Sequence, residues 1–389
     1  SLVALSELQR YTATGASDAL QNARMWYDGM ALVNNVTGIS GLMARSAIGP
    51  SEPRQTGSTW HNSTSMPGWM WKGDTSSDEV CGHAYGWSGA FFGLAKAANQ
   101  SSDALALRRE AATYLVRIAK YITENNFTLI DVTGRPTTWG HWDPPTLNWN
   151  RSWSDGRGLN SMQILGLLAS AHDAAVFLGE QSTASLFEQA FDSLATVHDY
   201  LGNLLNLKIE TPTDDNYSDD ELSYCAIYPA ISSDFVRARP QTLAAVRAGL
   251  WRLWDVVRPE RPDWWNAISV AVLHETTSFQ RAISVEEAQD AIQDALWNLR
   301  TWPLELIQWT AENSHRLDFY FRPGVNRDFQ THTEALRVFP ANERGQLRWN
   351  GSPYALNAGG AGGSEMDAGA WMAPWGMLVG KGLLKVGEM

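Results

Sequence analysis

The sequence predicts an all-α fold, and more narrowly an (α/α)6 toroid of helical hairpins. Three observations carry that expectation. Apolar residues recur at helical spacings of three, four and seven nearly throughout. Strand-like alternation is rare. Loops crowded with Trp, His, Asp, Gly and Asn alternate with ordinary amphipathic segments.

Residues 3–28 open the pattern, with Leu5, Leu8, Leu20, Ala23, Met25 and Trp26 on one stripe. Comparable segments follow at about 79–99, 103–125, 157–179, 184–206, 219–232, 239–256, 264–278, 285–300, 303–312 and 366–384. Phe127–Val132 is the best short strand candidate. One set of helices is Ala/Leu-rich with charges on one face, as in Asp103–Tyr121, Ser185–Leu201 and Val285–Leu299. The other set starts inside the polar-aromatic loops near 60–87, 131–160, 211–228, 258–275, 312–330 and 342–371. Six such loops separated by plain helices predict six hairpins whose inner helices start at one rim. An irregular helical array with the same helix count is the rival arrangement. The Gly-rich stretch Gly359–Gly363 reads as a tight turn, and no linker divides the chain. One catalytic domain over residues 1–389 is therefore expected.

Composition narrows the function. Forty-two acidic against 30 basic side chains give a net charge of −12, and the six lysines form no basic run, so nucleic acid is excluded as a partner. No run approaches roughly 18 uninterrupted apolar residues, so no membrane span is expected. With 44% hydrophobic residues and 19 Trp the chain is far from disordered. Asn-X-Ser/Thr sequons fall at Asn35, Asn62, Asn99, Asn126, Asn150, Asn216 and Asn350, against about three expected by chance at this composition. Cys81 and Cys225 permit one disulfide. Together with a chain that opens directly on a helical pattern, these features read as a secreted, extracellular glycoprotein carrying N-glycans.

The loops hold the candidate chemistry. In the first, Gly68–His83, Ser76 or Ser77 can cap a helix whose first turn favours Asp78 and Glu79. Asp74 lies before that cap, where capping does not account for it. Glu79 and His83 are four apart and share a helix face, as a pair for proton transfer or metal binding would. The second loop, Asp131–Pro145 continuing to Asn160, carries Trp139, Trp142, Trp149 and Trp153 within fifteen residues. Flat indoles suit the apolar faces of sugar rings and also stabilise cations, with His141, Asp143 and Arg157 beside them. The third, Asp214–Tyr224, places five carboxylates in eight residues, of which Asp219, Asp220 and Glu221 also match a helix N-terminus. Those oxygens could hold Ca or Mg, although the spacing is not that of an EF-hand. His274, in the fourth region, reads as a satisfied core histidine. The fifth loop offers Asn313, His315 and Arg316, and the sixth Trp349, Glu365 and Asp367. No single loop is specific; each combines an aromatic residue with a carboxylate, His or Arg.

At the level of architecture the sequence resembles the six-hairpin glycosidase-like superfamily. The loops Lys72–Glu79, Arg157–Asn160, Asn216–Glu221, Asn313–Arg316 and Trp349–Pro353 also resemble a set of uncharacterised bacterial and eukaryotic proteins, over residues 25–380. The second resemblance implies one shared site and no assigned activity. The first implies sugar substrates but no particular catalytic positions.

The leading expectation is a secreted glycoside hydrolase acting on an oligo- or polysaccharide. It would use two carboxyls facing each other across the scissile bond, Asp74 or Glu79 against Asp219, Asp220 or Glu221. Trp71, Trp139, Trp142 and Trp349 would be sugar platforms, with Arg157, Asn160, Asn313 and Arg316 as polar contacts. No cofactor is required by this reading, and a divalent cation is its one open addition. A polysaccharide lyase would instead draw its base from His83, His141, His315 or Tyr224. A Mg-dependent terpene cyclase would use Asp214–Glu221, though no DDxxD-type motif is present. A non-catalytic lectin would need the platforms alone.

Overall fold

The structure, a computed structural model, describes the chain except residues 98–100, 210–217, 274–281, 304–318, 324–328, 334–336, 344–352, 355–367, 386 and 388–389; for 319–323 and 329–333 it describes the backbone. Among the described residues helix dominates, at 67% against 6% strand, as the apolar periodicity predicts. The chain divides into two compact units. The first comprises Ser1, Val3–Leu207 and Cys225–Gly249, and the second Leu2, Lys208–Tyr224 and Leu250–Met389.

In the first unit, the periodic stretch expected over 3–28 is two helices. Helix α1 (Leu2–Thr14) stops at Gly15, whose left-handed φ of 70° lets its N–H cap Tyr11 O. Helix α2 (Ser17–Asn35) then restarts and runs past the expected end. Helix α3 (Ser77–Gly93) begins with a full capping box: the Ser76 side chain accepts from the backbone while the Glu79 carboxylate accepts from Ser76 N–H. Helix α4 (Ser102–Glu124) is capped by Ser101 Oγ. Helix α5 (Arg157–Leu178) packs beside α3, α4 and α6 (Gln181–Asp192). It is the one described helix long and apolar enough to cross a membrane, and 72% of that stretch is buried inside the protein. An all-round apolar helix is what a core position demands. The helix expected over 184–206 breaks instead into α6, a wide π-turn at Ser193–Val197 and the single turn α7 (Tyr200–Asn203), with Asp199 left-handed between them.

Short strands lie between these helices. Strands β1 (Ser46–Ile48), β2 (Trp60–Asn62) and β3 (Met70–Lys72) form an antiparallel sheet in the order β1-β3-β2. The expected strand at 127–132 is β4 (Thr128–Ile130), paired with β5 (Pro136–His141). Three-residue strands leave too little alternation to stand out in the sequence. Helix α8 (Ser218–Ser232), the short α9 (Asp234–Arg237) and helix α10 (Pro240–Val257) follow in order. Cys81 and Cys225 are both buried thiols and form no disulfide.

In the second unit α11 (Trp264–Leu273) packs on α12 (Val285–Arg300) and α13 (Gly369–Gly380). Trp254 Nε1 donates to Asn266 Oδ1 at 2.9 Å, and Asn266 Nδ2 donates to Ala291 O, which satisfies a buried amide inside this core. Strands β6 (Phe319–Pro323) and β7 (Phe329–Thr333) pair antiparallel. The helix expected over 303–312 lies outside the described residues.

Candidate active site

In the first unit, the first and second polar-aromatic loops meet through Asp74 and the β4–β5 hairpin. Asp131 opens the hairpin turn, where Gly134 takes a left-handed φ of 74° and Asp131 N–H donates to Arg135 O. Ile130 pairs with Pro136 and Thr128 with His141, so β5 bows outward between those partners. The bowed segment exposes Thr138 and Trp139 in succession. Thr138 N–H and Oγ1–H both donate to the Asp74 carboxylate, at 2.7 and 3.0 Å. Asp74 N–H donates back to Asp131 Oδ2 at 3.2 Å, and Asp131 Oδ1 accepts from Val132 N–H at 2.8 Å. The Asp131 carboxylate thus meets the backbone N–H of Asp74, whose own carboxylate meets Thr138.

Asp74 has a φ of 54°. A short polar side chain tolerates that region at a cost, and such outliers concentrate where a side chain must be aimed. Gly73 before it is crowded. A Cβ there would lie 2.9 Å from both Asp131 oxygens and 3.0 Å from His61 Nε2, so only glycine lets these groups close in. His61 sits directly across from Trp71 in the β2–β3 pairing, with ring centroids 4.8 Å apart. His61 Nε2 and Trp71 Nε1 are both buried without a hydrogen-bond partner. Polar atoms in that state are uncommon and cluster at functional sites or beside ordered water.

Glu79 is committed to the start of α3. Its Oε2 accepts from Ser76 N–H and Oγ–H, and its Oε1 from Arg45 Nε at 3.2 Å. The capping role weighed for it in the sequence is the one its geometry fills. Arg45 also donates to Asp74 O, at 3.4 Å. His83 is buried one turn further on, with Nδ1 3.2 Å from Asn34 Nδ2. Burial pushes the imidazole down to about 3, so it is neutral at physiological pH. Glu79 and His83 do not hydrogen-bond to each other; the carboxylate turns back to the cap.

The tryptophans divide by burial. Trp71 and Trp142 are each 1% exposed, so their faces are taken by the core rather than offered to a ligand. Trp142 Nε1 donates to Gln163 Oε1 at 3.0 Å, and Tyr200 Oη donates to Trp142 O. Trp139 is 56% exposed and packs against the half-buried Trp153, with centroids 5.9 Å apart. His141 meets the same Trp153 edge-on at 5.3 Å. Its Nε2 lies 2.9 Å from Thr137 O and its Nδ1 3.6 Å from Asp143 Oδ2, so both ring nitrogens face acceptors. Arg157 donates to Leu147 O and Asn148 O, and Asn160 Nδ2 donates to His141 O. Both therefore brace the second loop from the start of α5.

In the second unit, Asp219 Oδ2 accepts from Lys208 Nζ at 3.3 Å, while Asp220 and Glu221 are buried. Tyr224 is fully buried, stacks on Trp265 at 5.5 Å with rings 4° from parallel, and accepts from Ser269 Oγ. Burial raises its phenol well above the ordinary value, and the charges of Asp220 and Glu260 add to this against the Ser269 bond. It is a neutral phenol at physiological pH. Glu260, also buried, is a carboxylate the sequence motifs did not single out.

Asn313, His315, Arg316 and Trp349 lie outside the described residues, as do His274, Glu365 and Asp367. Among the described residues no group of three or more His, Cys, Asp or Glu side chains converges as a metal site. His61, Asp131, Thr138 and Trp153 join the site from the structure. All four stood in the polar-aromatic loops near 60–87 and 131–160, but only Trp153 was named there for its chemistry. No known protein family, curated protein or solved structure matches this chain.

Proposed function

We propose that the protein is a glycoside hydrolase that uses Asp74 and Asp131 as its carboxyl pair, beside an aromatic wall formed by Trp139 and Trp153. The observation that carries the reading is the latch itself. A left-handed aspartate is held by Thr138, a second carboxylate accepts from its N–H, and an exposed indole is the next residue along β5. Glycosidic cleavage needs one carboxyl to protonate the leaving oxygen and another to stabilise or capture the oxocarbenium-like centre. Indole faces supply the apolar surface on which a pyranose stacks. The wider expectations travel with this proposal: secretion, an oligo- or polysaccharide substrate, no required cofactor, and an (α/α)6 arrangement. For the last, the neighbouring packing of α3, α4, α5 and α6 gives support. The lyase reading has less to draw on, since burial makes the His83 imidazole hard to protonate and the Tyr224 phenol hard to deprotonate, and both nitrogens of His141 face acceptors.

The test is turnover of a panel of neutral and acidic polysaccharides, followed by new reducing ends and by absorbance of unsaturated uronates, with and without EDTA. The expected result is reducing ends without absorbance, insensitive to EDTA, and reduced at least about 100-fold in Asp74→Asn and Asp131→Asn. Absorbance would transfer the protein to the lyases. Binding without turnover would make it a lectin. Unchanged turnover in both variants would remove the carboxyl pair.

A further inference from the structure

Seven sequons are present, and four of their asparagines, Asn35, Asn62, Asn126 and Asn150, are described and exposed. Their surroundings differ. Asn35 ends α2; its Nδ2 donates to the hydroxyl of the buried Tyr114 at 2.7 Å, and the other two sequon residues, Val36 and Thr37, are in the core. Thr37 Oγ1 is spent on local backbone, including Leu42 O at 2.9 Å. Asn62 lies on β2, and its Oδ1 accepts from Arg54. Asn126 stands at the turn between α4 and β4, left-handed at φ 53°; its backbone N–H donates to Thr123 O, and its side-chain amide is engaged by no described residue. Asn150 opens a wholly exposed tripeptide, Asn150–Ser152, and its Oδ1 accepts from Ser152 N–H at 3.0 Å. That Asx-turn occupies Oδ1 and leaves the Nδ2 engaged by no described residue.

We propose that Asn126 and Asn150 are N-glycan acceptors and that Asn35 is not. In the transfer, Nδ2 attacks C1 of the first sugar of a lipid-linked oligosaccharide. The C1–N bond forms as the C1–O bond to the lipid diphosphate breaks, Nδ2 gives up one proton, and the diphosphate departs as the leaving group. A glycan on either asparagine meets solvent. One on Asn35 would have to be accommodated while the adjoining Val36 and Thr37 fold into the core. A glycan at Asn150 also sits beside Trp149, which is 71% exposed and would otherwise present a bare indole to solvent. The inference is independent of the catalytic reading and shares with it only passage through a secretory route.

The test is to secrete the full chain from a eukaryotic host, release glycans enzymatically in ¹⁸O-water, and map the asparagines converted to labelled aspartate. A host glycoprotein from the same medium serves as the positive control. Label at Asn126 and Asn150 with none at Asn35 is expected. Label at Asn35 overturns the exclusion, and absence of label from either Asn126 or Asn150 overturns the assignment of that residue. Loss of polysaccharide turnover with the label in place would refute the hydrolase reading and leave this one standing.

Discussion

Replacing Asp74 separates the strain in its backbone from the bonds of its side chain. The left-handed φ of 54° costs a residue with a Cβ about 1 kcal/mol relative to glycine. Against that stand two bonds to Thr138, at 2.7 and 3.0 Å, each worth about 1–1.5 kcal/mol for a half-exposed, charge-assisted pair. Asp74→Ala loses both bonds and keeps the strain, for a destabilisation of about 2–3 kcal/mol. Asp74→Gly loses the same bonds but recovers about 1 kcal/mol from the backbone, which leaves a net loss of about 1–2 kcal/mol. Asp74→Asn keeps an acceptor for Thr138 N–H and tolerates the left-handed region, so it should cost less than about 1 kcal/mol. The expected order of stability is wild type, Asn, Gly, Ala. Urea unfolding followed by tryptophan emission measures it, and hydrogen exchange at the Thr138 amide reports the latch directly. A glycine variant as stable as wild type would show that the two Thr138 bonds together contribute only about 1 kcal/mol, the amount that relief of the backbone strain returns. Equal stability of the alanine and glycine variants would show that residue 74 is not held left-handed. If the hydrolase reading is right, Asp74→Asn is also the variant that keeps the fold and loses turnover.

Further expectations concern the surroundings of this latch. Gly73→Ala drives a methyl against Asp131 and His61 and should cost about 1–3 kcal/mol, measured by the same unfolding curves; no change would mean that the hairpin shifts freely. His83 has a folded-state value of about 3 against an ordinary 6.5, so below pH 6.5 the unfolded chain takes up a proton that the folded chain refuses. Stability should fall with a slope approaching about 1.4 kcal/mol per pH unit as pH drops from 6 towards 4, and His83→Gln should flatten that slope. An identical pH profile in the variant would place the acid sensitivity elsewhere. Trp153→Ala removes the ring that buttresses both Trp139 and His141 and should weaken polysaccharide retention in affinity electrophoresis about tenfold, with unfolding little changed. Ser76→Ala takes away half of the capping box and should cost about 1 kcal/mol, read from thermal unfolding.

The helical class, most helix positions and the strand at Thr128–Ile130 were legible in the sequence because apolar periodicity and capping residues act over a few neighbours. The capping reading of Ser76 and Glu79 belongs to the same local physics, since N-cap and N3 are three residues apart. The break at Gly15 was there to be read as well, in a residue that takes a left-handed φ without strain. The tertiary structure alone decided which tryptophans are exposed. Trp139 and Trp142 stand three residues apart in one loop, yet the bow in β5 exposes the first and Gln163 on α5 fixes the second inside. It alone brought Asp74 to Thr138, 64 residues along the chain, and Asp74 N–H to Asp131, 57 residues along. Such pairings depend on strand register and on the absence of a side chain at Gly73, and neither leaves a periodic trace. Sequence pattern records what a residue buries. Which distant residue it meets is set by the packing of whole elements.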